Sequence, residues 1–166
     1  EKIVTAYEQV FGLPYTIVRP SALYGERCVS RRVGQIFIEN ALEGEKLTVA
    51  GEGGDRLDFT YIDDLVGGII KVITHENSRN EVFNLTYGQS RSLKELVDVL
   101  SSQFEGLEVE YQPRDRLMPN RGTLSVEKAR RMIDYAPAFP IEKGFPKYVQ
   151  WYQHFLREEG PAYAGE

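Results

Sequence analysis

The chain has 166 residues, of which 42% are hydrophobic and 27% charged, values that suit one compact water-soluble domain with a real core. Its net charge is −5, and its only dense group of cations is the short stretch Arg27 to Arg32. That excludes nucleic acid as an expected partner, because phosphate-backbone binding needs clustered Lys and Arg, although the stretch suffices for one small phosphate.

Ile3, Val4, Tyr7 and Val10-Phe11 recur at helical spacing, Gly12 ends that helix and Pro14 prevents its return. Tyr15 to Val18 is β-branched and apolar on both faces, which predicts a buried parallel strand. A polar loop, Ser21 to Arg32, leads into a helix over Val33–Leu42 closed by Gly44. Leu47–Ala50 is predicted as a strand, Gly51–Gly54 as a turn, and Phe59–Ile62 as a further strand. Asp63 or Asp64 is expected to cap a helix running to about Thr74. Val82–Leu85 reads as a strand. Ser92, with Glu95 three residues on, has capping-box spacing for a helix over Leu93–Phe104. Leu107–Tyr111 alternates as a strand, and residues 112–123 form a polar loop with three arginines. Ser125 starts a helix through Ile133, and a last helix covers about Ile141–Leu156, with Pro146 near its first turn. Strands alternating with helices indicate an α/β fold.

Chemistry-bearing residues are sparse. Cys28 is the sole cysteine and His75 and His154 are the only histidines, too few for a disulfide or a zinc site and poor support for a Cys/His nucleophile pair. No apolar run has the length of a membrane span, and residues 1–7 lack a signal-peptide core; a cytoplasmic location is expected. The chain opens at Glu1, inside a predicted helix and without an initiator Met, so a fragment of a longer protein is expected.

Four stretches occur in an order that resembles one family. They are Val18-Arg19-Pro20-Ser21-Ala22-Leu23-Tyr24-Gly25-Glu26-Arg27; Asp58-Phe59-Thr60-Tyr61-Ile62-Asp63-Asp64; Phe83-Asn84-Leu85-Thr86 followed by Ser92-Leu93-Lys94-Glu95-Leu96; and Ser125 to Arg130 with Tyr135-Ala136-Pro137, Glu142-Lys143-Gly144 and Trp151-Tyr152. They resemble the extended short-chain dehydrogenase/reductases, specifically the sugar-nucleotide epimerases and dehydratases. The resemblance implies a Rossmann half that binds NAD or NADP, a catalytic Tyr-x-x-x-Lys pair on a helix, and a carboxy-terminal half that grips a nucleotide-diphosphate sugar. No Tyr here has Lys four residues later, and Glu1 corresponds to an acidic residue just after the family's catalytic Lys. The glycine cluster Gly51–Gly54 leads into a strand rather than the helix that a phosphate-cradling loop requires.

The expected architecture is therefore a Rossmann remnant over residues 1–25 and a small mixed α/β substrate-binding domain over 26–166. The resemblance places Pro20, Ser21 and Ala22 at the cofactor, with Ala22 standing where the family has Asn. It places Thr48 and Ala50 at the nucleotide base, and Arg27 near substrate. The family's diphosphate arginine directly precedes the Asp-Phe pair; here that position is Leu57, and Arg56, one residue earlier and so turned to the other strand face, is the candidate for that role where the turn before it absorbs the shift, with a solvated surface Arg as the alternative. In the loop after residue 112, Arg114 with Asp115 is the first choice for phosphate and ribose and Arg121 the second. The implied function is the substrate-binding portion of an NAD(P)-dependent nucleotide-sugar epimerase or dehydratase that cannot act alone. A stand-alone nucleotide-sugar binding module, or a ketoreductase or decarboxylase on the same scaffold, is the alternative; a homodimer is a further expectation.

Overall fold

The computed structural model describes residues 1–28 and 30–159. Six helices are present: α1 (Lys2–Phe11), α2 (Val33–Glu43), α3 (Ile62–Thr74), α4 (Leu93–Ser101), α5 (Glu127–Ile133) and α6 (Ile141–Glu159). The strands are β1 (Thr16–Arg19), β2 (Leu23–Tyr24), β3 (Leu47–Ala50), β4 (Arg56–Leu57), β5 (Thr60–Tyr61), β6 (Glu81–Asn84), β7 (Arg91–Ser92) and β8 (Val109–Gln112). They form pairs. β1 lies parallel to β6 with Thr16 opposite Glu81, β2 parallel to β5, and β3 parallel to β8 with Leu47 opposite Val109, while β4 and β7 are antiparallel. Parallel neighbours joined through helices are the mark of an α/β fold.

Two apolar clusters hold these pieces. The larger joins α2, β3, α4 and α6, with Phe37, Ile38, Leu47, Leu96, Phe145 and Tyr148 among its best-buried members. The smaller packs α3 and α5 on β6, through Leu65, Val72, Phe83, Ala129 and Ile133, with Val18 of β1 against it. Helix α1 contributes to neither and buries no residue. It is tied down at its ends instead, by Arg19 donating to Glu1 and by the Asn80 amide donating to Glu8 at 3.2 Å.

Local signals explain most boundaries. Gly44, at φ 73°, supplies the left-handed turn that closes α2 and lets its N–H return to the helix carbonyls. Ser92 and Glu95 form the full reciprocal capping box on α4. The expected cap on α3 is different. Tyr61 occupies the cap position with no side-chain bond, and Asp63 and Asp64 lie in the first turn. Asp64 reaches across the molecule to accept from the Ala138 and Phe139 N–H groups at 2.7 and 3.0 Å, and Asp63 pairs with Lys147. Pro146 sits inside α6, past the first turn, so the Glu142 carbonyl loses its helical donor. Among the described residues no helix is long and apolar enough to cross a membrane.

Candidate substrate cleft

Strand β1 ends at Arg19, and the chain continues as Pro20-Ser21-Ala22 along the rim of a cleft of about 640 Å³. The carboxyl end of a parallel strand is where open α/β sheets bind ligands. Ala22 adopts φ 37°, a left-handed conformation unusual for a residue with a Cβ, and its carbonyl accepts from the Thr60 N–H at 3.3 Å. That bond ties the rim to β5. The cleft floor is apolar, made by Tyr24, Val33, Leu57 and Phe59. Its polar wall carries Arg31, Arg32 and Arg121, and no carboxylate lines it. A chain with net charge −5 therefore presents a locally cationic hollow.

The arginines predicted for phosphate are sorted by this geometry. Leu57 faces the cleft, whereas Arg56, its neighbour on β4, does not line it. Arg56 donates to Ser90 through Nε (3.2 Å) and Nη2 (2.6 Å) and lies 3.5 Å from Glu95. Arg114 also lies outside the cleft wall. Its Nε donates to both oxygens of Asp55 at 2.9 and 3.0 Å, and Nη2 reaches Pro119 and Asn120, so it folds the loop on itself. Asp115 accepts from the Leu117 N–H at 2.9 Å, a local turn bond. Arg27 is exposed, at φ 61°, and does not line the cleft. Arg121 does, and it makes no hydrogen bond or ion pair among the described residues. Within the loop, Arg114 is engaged by Asp55, Pro119 and Asn120, whereas Arg121 has no partner among the described residues.

The backbone just beyond Arg121 is anchored by residues whose part the sequence did not reveal. Asp58 is fully buried, and its carboxylate accepts from the Thr86 hydroxyl, the Gly88 N–H and the Leu124 N–H at 2.9 to 3.0 Å. Thr123 bridges to Ser90, donating to its hydroxyl at 2.8 Å and accepting from its N–H at 2.9 Å. Residues 123 and 124 are therefore tied down, two and three positions beyond Arg121. Asp58 stands in a motif quoted above, but its partners are up to 66 residues away.

Thr48 and Ala50 lie on β3. The Leu47 N–H donates to the Glu108 carbonyl just before β8, and the Gly51 N–H to the Gln112 carbonyl at its end. In a parallel strand alternate residues turn their backbone groups to opposite edges. The backbone groups of Thr48 and Ala50 consequently face the other edge, where no strand pairs among the described residues. Burial of the tyrosines around the floor shifts their hydroxyls. Tyr24 is pushed well up, chiefly by burial and then by nearby Asp64. Tyr61 is pushed up by burial and by donating to Glu26. Neither phenol is suited to act as a base near neutral pH.

The sequence model of the NAD dependent epimerase/dehydratase family matches residues 1–86, just over half of the chain. The chain belongs to that family. A "Putative UDP-glucose 4-epimerase" of Methanocaldococcus jannaschii is 28% identical over 156 residues, covering 91% of this chain and 50% of the relative. Among solved structures, UDP-glucuronic acid 4-epimerase from Bacillus cereus, in complex with UDP-glucuronic acid and NAD, superposes with a TM-score of 0.85 at 22% identity, over 93% of this chain and 50% of that one. The dTDP-glucose 4,6-dehydratase of Bacillus anthracis, in complex with NAD, gives 0.83 at 26% identity, over 95% and 50%. This epimerase/dehydratase family member thus has the expected α/β fold of the Rossmann-type enzymes, and it spans about half the length of the relatives it matches.

Proposed function

We propose that this chain is the substrate-binding portion of an NAD(P)-dependent epimerase or dehydratase that acts on a nucleotide-diphosphate sugar, and that it does not perform the chemistry alone. The observation that carries the reading is the cleft itself: three arginines and no carboxylate on its wall, over an apolar floor, at the carboxyl end of a parallel strand. Paired phosphates need such cations, and Arg is the side chain that holds them with two parallel N–H donors. Arg121 is the principal phosphate ligand, with Arg31 and Arg32 beside it. The free edge of β3 at Thr48 and Ala50 supplies backbone donors and acceptors for the nucleotide base.

Pro20, Ser21 and Ala22 border the cofactor side of the cleft. Their small side chains and the turn at Ala22 fit the close approach of a flat nicotinamide ring. The bound cofactor would take and return a hydride. The proton-transfer pair is not supplied here, since no Tyr has Lys four residues later. We place residues 1–25 on the cofactor side, with β6, α3 and α5 that pack against β1, and most of residues 26–166 on the substrate side.

The test is a turnover assay on the full-length protein with NAD and a panel of UDP- and dTDP-sugars. An altered sugar is expected from the full-length protein and none from this 166-residue chain alone. Hydride transfer by the chain alone, or a full-length protein inert toward every nucleotide sugar, would sink the proposal.

A further inference from the structure

Glu39 is a carboxylate in an unusual place. It lies on α2 next to the buried Ile38, and only 8% of it is exposed. Burying a charge is costly unless every oxygen is satisfied. Here both are. Oε1 accepts from the Gln35 amide at 2.8 Å and from the Tyr152 hydroxyl of α6, and Oε2 accepts from Arg31 Nε at 2.9 Å. Burial pushes the Glu39 carboxyl up, but the bonds from Tyr152, Gln35 and Arg31 outweigh it and hold the group below its ordinary value.

The geometry at Arg31 shows what this arrangement does. Its backbone sits at φ 35°, a strained conformation for a residue with a side chain. Its Nε is engaged by Glu39, while its two terminal amino groups make no hydrogen bond among the described residues. Arg32 is held the same way, with Nε on Ser30 at 3.2 Å. Arg31 and Arg32 both line the cleft that Arg121 also lines. Fixing a guanidinium through Nε leaves a planar pair of N–H donors facing outward, the arrangement that meets two phosphate oxygens at once.

We propose that Glu39 is a positioning residue that aims Arg31 at the phosphates of the ligand, and that through Tyr152 it couples helix α6 to phosphate binding. This rests on the reading of the cleft as a nucleotide-diphosphate site. Glu39 touches no ligand; it acts through Arg31. The orientation outweighs the partial neutralisation of Arg31 by the carboxylate.

The experiment is calorimetric titration of the full-length protein with UDP, dTDP and GDP, and with the parent nucleosides, for the wild type, Arg31→Ala, Glu39→Gln, Tyr152→Phe and the Arg31→Ala/Glu39→Gln pair. For a diphosphate that binds the wild type, Arg31→Ala is expected to weaken binding about tenfold. Glu39→Gln should lose several-fold and Tyr152→Phe less, nucleoside affinity should not move, and the pair should lose no more than Arg31→Ala alone. Additive losses, equal losses for nucleoside and diphosphate, or tighter binding by Glu39→Gln would each overturn the proposal, the last because Glu39 would then be withholding Arg31. Should Glu39→Gln fail to fold, Arg31→Lys decides. It keeps the charge without the Nε anchor and is expected to lose as much as Arg31→Ala; wild-type affinity would overturn the proposal. A wild type that binds no diphosphate removes the reading of the cleft and this inference together. A wild type that binds, with Glu39→Gln equal to it, removes only the inference.

Discussion

Asp58 forms no ion pair among the described residues, yet three donors from two distant segments converge on its buried carboxylate. Two of them lie in the loop that follows β6 and the third in the loop that precedes α5, so this one side chain ties together the two loops, the second of which carries Arg121. Replacing it by Asn substitutes a donor for one acceptor oxygen and leaves at least one buried N–H or hydroxyl facing another donor. Asp58→Asn should therefore cost about 1–3 kcal/mol in urea unfolding. An unchanged midpoint would mean that the three bonds are dispensable. Glu95 makes a pH-dependent contribution of opposite visibility, at the surface. The Ser92 backbone N–H, and after it the Arg91 side chain, lower its carboxyl from 4.5 to about 2. A depressed folded-state value stabilises the protein above the unfolded carboxylate range, and that stabilisation is lost as pH falls toward 2. The stability gap between wild type and Glu95→Gln should accordingly be constant near neutrality and shrink between pH 4.5 and about 2; a gap that stays constant across that window would contradict the assignment.

Helices α2 and α6 approach one another around a stacked aromatic pair. Tyr24 and Phe145 lie with ring centroids 4.1 Å apart and planes 7° from parallel. A Cβ on Gly144 would fall 1.9 Å from the Tyr24 hydroxyl oxygen, and one on Gly34 would fall 2.7 Å from the Phe145 ring. Either Ala substitution must push apart elements that form the cleft floor. Gly144→Ala is expected to cost at least about 1–3 kcal/mol by thermal or urea unfolding, and an unaffected protein would show that the contact relaxes without strain. The same elements show what a sequence makes legible. The α4 capping box and the left-handed end of α2 depend on residues within a few positions of each other, and both were readable. The pairs β2–β5 and β4–β7 were only partly readable, because strands of two residues have no period to detect. Asp64 was misjudged as a cap because its partners at 138 and 139 are 74 and 75 residues away. The pairing of Arg114 was not readable for the same reason. Asp55, 59 residues from Arg114, takes that side chain out of the cleft.

At the scale of the whole molecule, one side is finished and the other is not. The larger cluster exposes little beyond the cleft floor, whereas α1 exposes Ile3, Val10 and Phe11 to 76, 70 and 64%, and α3 exposes Ile73 to 76%. β1 pairs only with β6 among the described residues, which leaves its other edge free. Exposed apolar helices beside an open strand edge drive association. The 166-residue chain on its own is expected to self-associate in light scattering, with α1 amides exchanging faster than those of α4; a stable monomer with protected α1 amides would contradict this. The central claim concerns the cleft, and binding tests it most directly. UDP- and dTDP-sugars should be titrated into the full-length protein and into its Arg121→Ala and Arg56→Ala variants. The account predicts that a nucleotide sugar binds, that Arg121→Ala weakens it about tenfold, and that Arg56→Ala leaves it within about twofold. Binding lost with Arg56 and kept without Arg121, or no binding of any nucleotide sugar, would contradict it.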